Sequence, residues 1–317
     1  MATLRVALVG VGGIGPVHFV NWKQVDRAQV CCACDVRPER REFLSDPALP
    51  FYTDLREMLE KERPDIVDIC TPSYLHFEHA MLAIEYGAHV LVEKPVCLEL
   101  PQIDELFAAA ARRGVQVMVA HVVRFWYEYL CLKRMVDERT YGRVLSAWFS
   151  RLGETPRWSF DNWMLDEQRS GLVPFDLHIH DLDFLVYTFG APLSADSRRA
   201  RVKGQDYLSV TYRYPDFFVD CEAGWFDTKY PFCSRFRVQF EKALVEGANG
   251  QVHIFTPDGR RETLSEAARG ETGLNLPASN AYANELWYFA ECVEKNLPPD
   301  RVPPDDLREV LRLLKEL

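Results

Sequence analysis

The sequence lacks any long apolar run. None approaches the roughly eighteen residues that a bilayer-crossing helix needs, so no membrane span is expected. It also lacks positive charge: 37 Lys and Arg face 47 Asp and Glu, for a formal charge of −10. That balance argues against non-specific binding to nucleic acid and against docking on anionic membranes. The opening "MATLRVALVGVGGIG" has no basic leader and no small-residue cleavage site, so no signal peptide is expected. No low-complexity segment, linker or internal repeat interrupts the chain. The nine cysteines show no CxxC pair at zinc-site spacing, and several fall within apolar segments, as in "VCCACD" (Cys31, Cys32, Cys34) and "DIVDIC" (Cys70). Such thiols read as small buried hydrophobes in a reduced, cytoplasmic protein, and no cysteine metal site is expected.

What is present is an ordinary globular composition, 48% apolar and 26% charged, on a chain long enough for two domains. Through the first 120 residues, short apolar runs (4–9, 29–34, 65–70, 89–93 and 115–120) alternate with helix-compatible stretches (14–25, 37–44, 54–61, 75–86 and 100–113). Apolar strands without polar alternation, separated by helices, predict a parallel sheet covered on both faces. After residue 122 a helix at 125–139 is followed by strand-like runs at 144–151, 208–214, 217–225, 236–240 and 251–255. Helices are predicted at 174–189, 282–295 and 305–317. The fold class is therefore α/β: a doubly wound parallel domain over 1–121, then an α+β domain over 122–317 with a mostly antiparallel sheet.

"GVGGIG" (Gly10, Gly12, Gly13, Ile14, Gly15) fits the G-x-G-x-x-G dinucleotide fingerprint, and it follows a predicted strand and opens a predicted helix. The helix amides there would face a pyrophosphate. Asp35 ends the second strand, where a carboxylate accepts from a ribose diol and repels a 2′-phosphate. That favours NAD, while Arg37, two residues on, keeps NADP as an alternative. Two further segments end strands and should face the cofactor: "TPSYLH", with Thr71, Pro72 and His76, and "EKP", with Glu93 and Lys94.

The ordered set "GVGGIG", "TPSYLH", "EKP", "RF" (Arg124–Phe125), "DLHIHDLD" (Asp176–Asp183) and "YANELWYFAECVEKNLPP" resembles the Gfo/Idh/MocA family of NAD(P)-dependent oxidoreductases over nearly the whole chain. The resemblance implies a Rossmann domain and a C-terminal domain whose open sheet forms a homodimer or homotetramer interface. It also implies catalytic roles for Lys94, Asp176 and His180. The chain departs from the usual pattern at His178, where relatives carry glycine, at "SGLVP", and at Val122, where many carry a polar residue.

As a strand, 176–180 would align Asp176, His178 and His180 as metal ligands. The run ends in "FGAP" and lacks period-2 alternation, so a helix is predicted, with Asp176, His180 and Asp183 on one face and His178 turned away. No metal is expected. In the chemistry implied, His180 takes the hydroxyl proton of a secondary alcohol, Lys94 stabilises the developing alkoxide, and Asp176 orients the imidazole or binds a neighbouring hydroxyl. Arg124 is a candidate for cofactor or substrate contact, or for a buried ion pair. Among the aromatic residues Phe125, Trp126, Trp158, Trp163 and Tyr282, Trp163 is the preferred sugar-stacking residue. The expected function is hydride transfer between nicotinamide and a sugar, inositol or nucleotide sugar. An NAD-dependent glycosidase or lyase and a non-catalytic NAD-sensing regulator are the alternatives.

Overall fold

The computed structural model describes residues 3–266 and 280–317. The first half alternates strand and helix: β1 (Leu4–Val9), α1 (Gly15–Trp22), β2 (Ala28–Cys34), β3 (Phe51–Tyr52), α2 (Leu55–Glu62), β4 (Ile66–Ile69), α3 (His76–Glu85), β5 (His89–Glu93), α4 (Leu100–Arg113) and β6 (Val117–Ala120). All six strands run parallel in the order β3-β2-β1-β4-β5-β6. Every residue of β4 and β6 is buried, as expected where helices cover both faces. Each such Val, Leu or Ile contributes about 1.5–3 kcal/mol on burial. Local signals set the helix ends. Asp54 caps α2 by accepting from Glu57 N at 2.7 Å, and Gly114 ends α4 at φ +69°.

The second half begins with α5 (Tyr127–Asp137) and β7 (Val144–Glu154), followed by α6 (Glu167–Ser170) and α7 (Ile179–Phe189). Seven strands follow: β8 (Ser194–Val202), β9 (Gln205–Arg213), β10 (Phe218–Phe226), β11 (Cys233–Phe240), β12 (Leu244–Ala248), β13 (Gln251–Phe255) and β14 (Arg261–Ser265). They join β7 in an eight-stranded sheet, ordered β14-β13-β12-β11-β7-β10-β9-β8. Its pairs are antiparallel except β7 with β10, which run parallel because two helices and two strands separate them in the chain.

The chain closes with α8 (Ala281–Lys295) and α9 (Pro304–Lys315). These helices do not stay with the second sheet: α8 packs on α1 and α9 on α4, so the last segment ties the two halves together.

One expectation is corrected by the structure, and one strand was missed in the sequence. The stretch 174–189 is not one regular α-helix: Pro174–His178 forms a π turn, in which Ile179 N donates to Pro174 O, and only then does α7 begin. Strand β8, "SADSRRARV", was not legible because it is a polar edge strand, exposed on nearly every residue and without hydrophobic alternation.

Candidate active site

The order of the first sheet reverses between β1 and β4, and the loops leaving these strands meet there. Gly10 has φ +90°, and a Cβ on it would lie 2.7 Å from the Cys70 carbonyl and from Thr71 N, so the two loops abut only because this residue is glycine. A Cβ on Gly15 would lie 2.1 Å from Gly10 O, which packs the start of α1 against its own loop. At Gly12 nothing stands within 4 Å of the Cβ position, leaving open space above the loop.

Asp35, at the end of β2, turns its carboxylate toward that loop. One oxygen accepts from Val11 N at 2.9 Å and the other from Arg37 N at 3.0 Å and Arg37 Nε at 3.2 Å. Arg40 braces the loop from outside through Val11 O at 2.6 Å and Gly12 O at 3.0 Å, a role with no motif to reveal it. The open cradle, the α1 N-terminus and the Asp35 carboxylate fit a dinucleotide's pyrophosphate and ribose.

Lys94 follows β5, across a cis bond to Pro95. Its Nζ donates to Asp176 O at 2.8 Å and to Asp176 Oδ1 at 3.0 Å, joining the end of the first sheet to the π turn. His180 lies one turn further on and is half-buried, with Nδ1 unpartnered among the described residues. Burial, and then the charges of Lys94, Arg151 and His121, hold His180 well below its ordinary pKa, so the imidazole is neutral. The structure thus brings Lys94 onto Asp176, with His180 one turn further along the chain.

Other candidates are placed elsewhere. Asp183 is not on an open working face: with no exposed side-chain area, it accepts from Arg124 Nη2 at 2.7 Å and Nε at 2.8 Å. The same pair withdraws Arg124 from substrate, since its side chain is fully buried and its remaining nitrogen faces Asp306 at 3.0 Å. His76 is also buried. It sits between Thr71 O and Pro95 O, each 2.7 Å away, and links the "TPSYLH" and "EKP" loops. Glu93 turns inward, accepting from Lys94 N at 3.1 Å and meeting His18 Nε2 at 3.1 Å.

His178 is buried and bonded through Nε2 to Tyr212 OH at 2.7 Å, and burial pushes it down to about 4, so it is a neutral packing residue. Phe125, Trp126 and Tyr282 are core residues. Trp163 packs edge-on to Tyr74 of the "TPSYLH" loop, with centroids 6.5 Å apart. Trp158, 65% exposed, lies nearer the glycine loop: a Cβ on Gly13 would come within 2.9 Å of its ring. Phe160 lies against the Arg37 guanidinium at 4.3 Å.

Two supports went unseen in the sequence because they depend on tertiary pairing. Arg151 of β7 clamps Asp181 of α7 at 2.8 and 3.1 Å, so Asp181 and Asp183, two positions apart, anchor α7 to two different arginines. Behind Lys94, His18 Nδ1 meets Asp68 at 2.9 Å and Trp22 Nε1 donates to Asp68 at 2.7 Å. Burial opposes protonation of His18 most strongly, but Asp68 and Cys70 together outweigh it and hold this imidazole well above its ordinary value.

Residues 4–121 match the model of the oxidoreductase family with an NAD-binding Rossmann fold, and residues 129–246 match the GFO/IDH/MocA C-terminal domain. The chain belongs to the Gfo/Idh/MocA family. Among curated relatives, scyllo-inositol 2-dehydrogenase (NAD(+)) of Bacillus subtilis is 27% identical over 93% of this chain and 88% of its own. D-glucoside 3-dehydrogenase of Escherichia coli is 29% identical over 60% of this chain, and 2,7-anhydro-N-acetylneuraminate hydratase of Mediterraneibacter gnavus is 28% identical over 60%. The chain spans only 55% and 50% of those two relatives' length. In fold, an oxidoreductase from Agrobacterium radiobacter in complex with NAD+, L-tartaric acid and magnesium superposes with TM-score 0.84 at 16% identity, covering 99% of this chain and 95% of that one. As a Gfo/Idh/MocA member, this chain carries the NAD-binding Rossmann domain that the switch-point loops describe. Among the described residues, no helix is long and apolar enough to cross a membrane.

Proposed function

We propose that the protein is an NAD-dependent dehydrogenase acting on a secondary alcohol of a sugar, an inositol or a nucleotide sugar. The observation that carries this reading is the Lys94–Asp176 contact beside a neutral His180, at the carboxyl ends of the first sheet. When bound, NAD supplies the acceptor for the hydride that leaves the alcohol carbon. His180 accepts the hydroxyl proton, since its lowered pKa keeps the ring in the unprotonated form that a base must have. Lys94 presents its ammonium to the oxygen as negative charge develops there. Asp176 holds Lys94 in place through both its carboxylate and its main chain, and its second carboxylate oxygen is free to accept from a neighbouring substrate hydroxyl. In the reverse direction a carbonyl is reduced and protonated His180 returns the proton.

Asp35 supports a preference for NAD over NADP, since a carboxylate after the second strand accepts from a ribose diol and repels a 2′-phosphate. The division of labour follows the two sheets, with residues 1–121 for cofactor and 122–317 for substrate and assembly. Strand β9 alternates buried and accessible side chains, leaving one face of the second sheet open for a homodimer or homotetramer contact. The charge balance and reduced cysteines support a cytoplasmic setting.

The test is a screen of polyols, inositols and nucleotide sugars against NAD and NADP, read by nicotinamide absorbance. Net NADH formation with a polyol supports a dehydrogenase. Turnover without net NADH, as in transient oxidation before elimination, supports the hydratase-like reading suggested by the Mediterraneibacter gnavus relative.

A further inference from the structure

The structure brings together three soft or anionic ligands that neither the sequence spacing nor the family reading marks. In a regular strand, neighbouring side chains point to opposite faces. Strand β2 is not regular. Its pairing with β1 jumps from Val6↔Val30 to Ala7↔Cys32, so Cys31 is an extra, unpaired residue in a β-bulge. The bulge places the Cys31 and Cys32 sulfurs only 3.8 Å apart. Two thiolates bound to one tetrahedral ion at about 2.3 Å stand about 3.8 Å apart, so the pair already has the required separation.

Glu62, the last residue of α2, completes the set: its carboxylate and both sulfurs lie within 4.8 Å of one another. The carboxylate is held by Tyr52 OH at 2.7 Å and Arg5 Nη2 at 3.0 Å. Charge balances as well: two thiolates and a carboxylate give −3, a divalent ion +2 and Arg5 +1, for a sum of zero. Cys31 is half-buried and lines, with Arg5 and Leu49, a cleft of about 300 Å³ that gives access. The other compact cluster among the described residues, His18, Asp68 and Cys70, offers no such site, because both His18 ring nitrogens are already engaged, one by Asp68 and one by Glu93.

We propose that Cys31, Cys32 and Glu62 form a binding site for a thiophilic divalent cation such as Zn2+, with a fourth position open to water or a small ligand. The site lies four residues before Asp35, about 13 Å along the strand from the cofactor end. A bound ion would fasten β2 to the end of α2. Binding displaces one proton from each thiol to solvent.

The test is titration of the full-length, freshly reduced protein with Cd2+, following the thiolate-to-cadmium charge-transfer absorbance and the stoichiometry by calorimetry. The expected result is one ion per chain, a band lost in Cys31→Ser and in Cys32→Ser, and displacement of Cd2+ by excess Zn2+. Cys233→Ser, which removes the other half-buried thiol, is expected to leave the band intact. Because Cys31 is half-buried, Cys31→Ser should fold even if Cys32→Ser does not. An undiminished band in folded Cys31→Ser overturns the proposal.

Discussion

Lys94 Nζ sits 2.8 Å from the main-chain oxygen of Asp176 and 3.0 Å from its carboxylate. This contact crosses from the residue that follows β5 to a π turn eighty-two positions later. It fixes a cation beside His180 and gives that histidine a stated electrostatic environment. Burial and the neighbouring cations both disfavour the imidazolium.

His180 should titrate below the ordinary histidine value of about 6.5. Removing the Lys94 charge removes one of the causes, so Lys94→Met should raise the His180 pKa. Histidine NMR titration of the two proteins measures the shift. In the wild type, kcat/KM for alcohol oxidation should fall only as pH drops through the lowered value, because the base must be neutral. A His180 pKa that stays put in Lys94→Met contradicts this electrostatic reading.

Arg124 separates structure from substrate contact. Replacing it with Met leaves Asp183 buried and uncompensated, which costs about 3–5 kcal/mol. Denaturant unfolding should show that loss. A variant of wild-type stability with a raised substrate KM would instead return Arg124 to the substrate site.

Glu285 of α8 is fully buried, and neither carboxylate oxygen has a partner among the described residues. Burial, with the Glu93 charge second, holds its pKa well above the carboxylate range. The folded protein therefore keeps the proton, while the unfolded chain releases it above about 4.3. Stability from this group is full below that value and is lost as pH rises toward the folded pKa. Glu285→Gln cannot ionise, so it should gain on the wild type by about 1 kcal/mol or more between about pH 5 and 8. Parallel stability curves for the two proteins over that range would contradict the assignment.

Much of this site was legible because its signals are local. The glycines of 10–15 answer to backbone sterics, β1 and β5 to apolar runs bounded by turns, and Lys94 to its place at a strand end. Helical spacing alone separated His178 from His180, and the structure buries the former against Tyr212. What stayed hidden depends on distant partners. Asp183 has the right spacing for the site but is captured by Arg124, fifty-nine positions away. His76 and Glu93 lie in motif segments yet turn inward to brace them. Cysteine spacing rules presume intervening residues, so adjacent thiols made neighbours by a bulge escape them.

The account rests on Lys94 and His180 handling the proton and the developing charge while other residues bind the cofactor. The most direct test compares kcat and NAD affinity for the wild type, Lys94→Met and His180→Ala on a substrate found by the screen. A loss of about 100-fold or more in kcat in each variant is expected, with NAD affinity retained. Wild-type kcat in either variant would contradict the account.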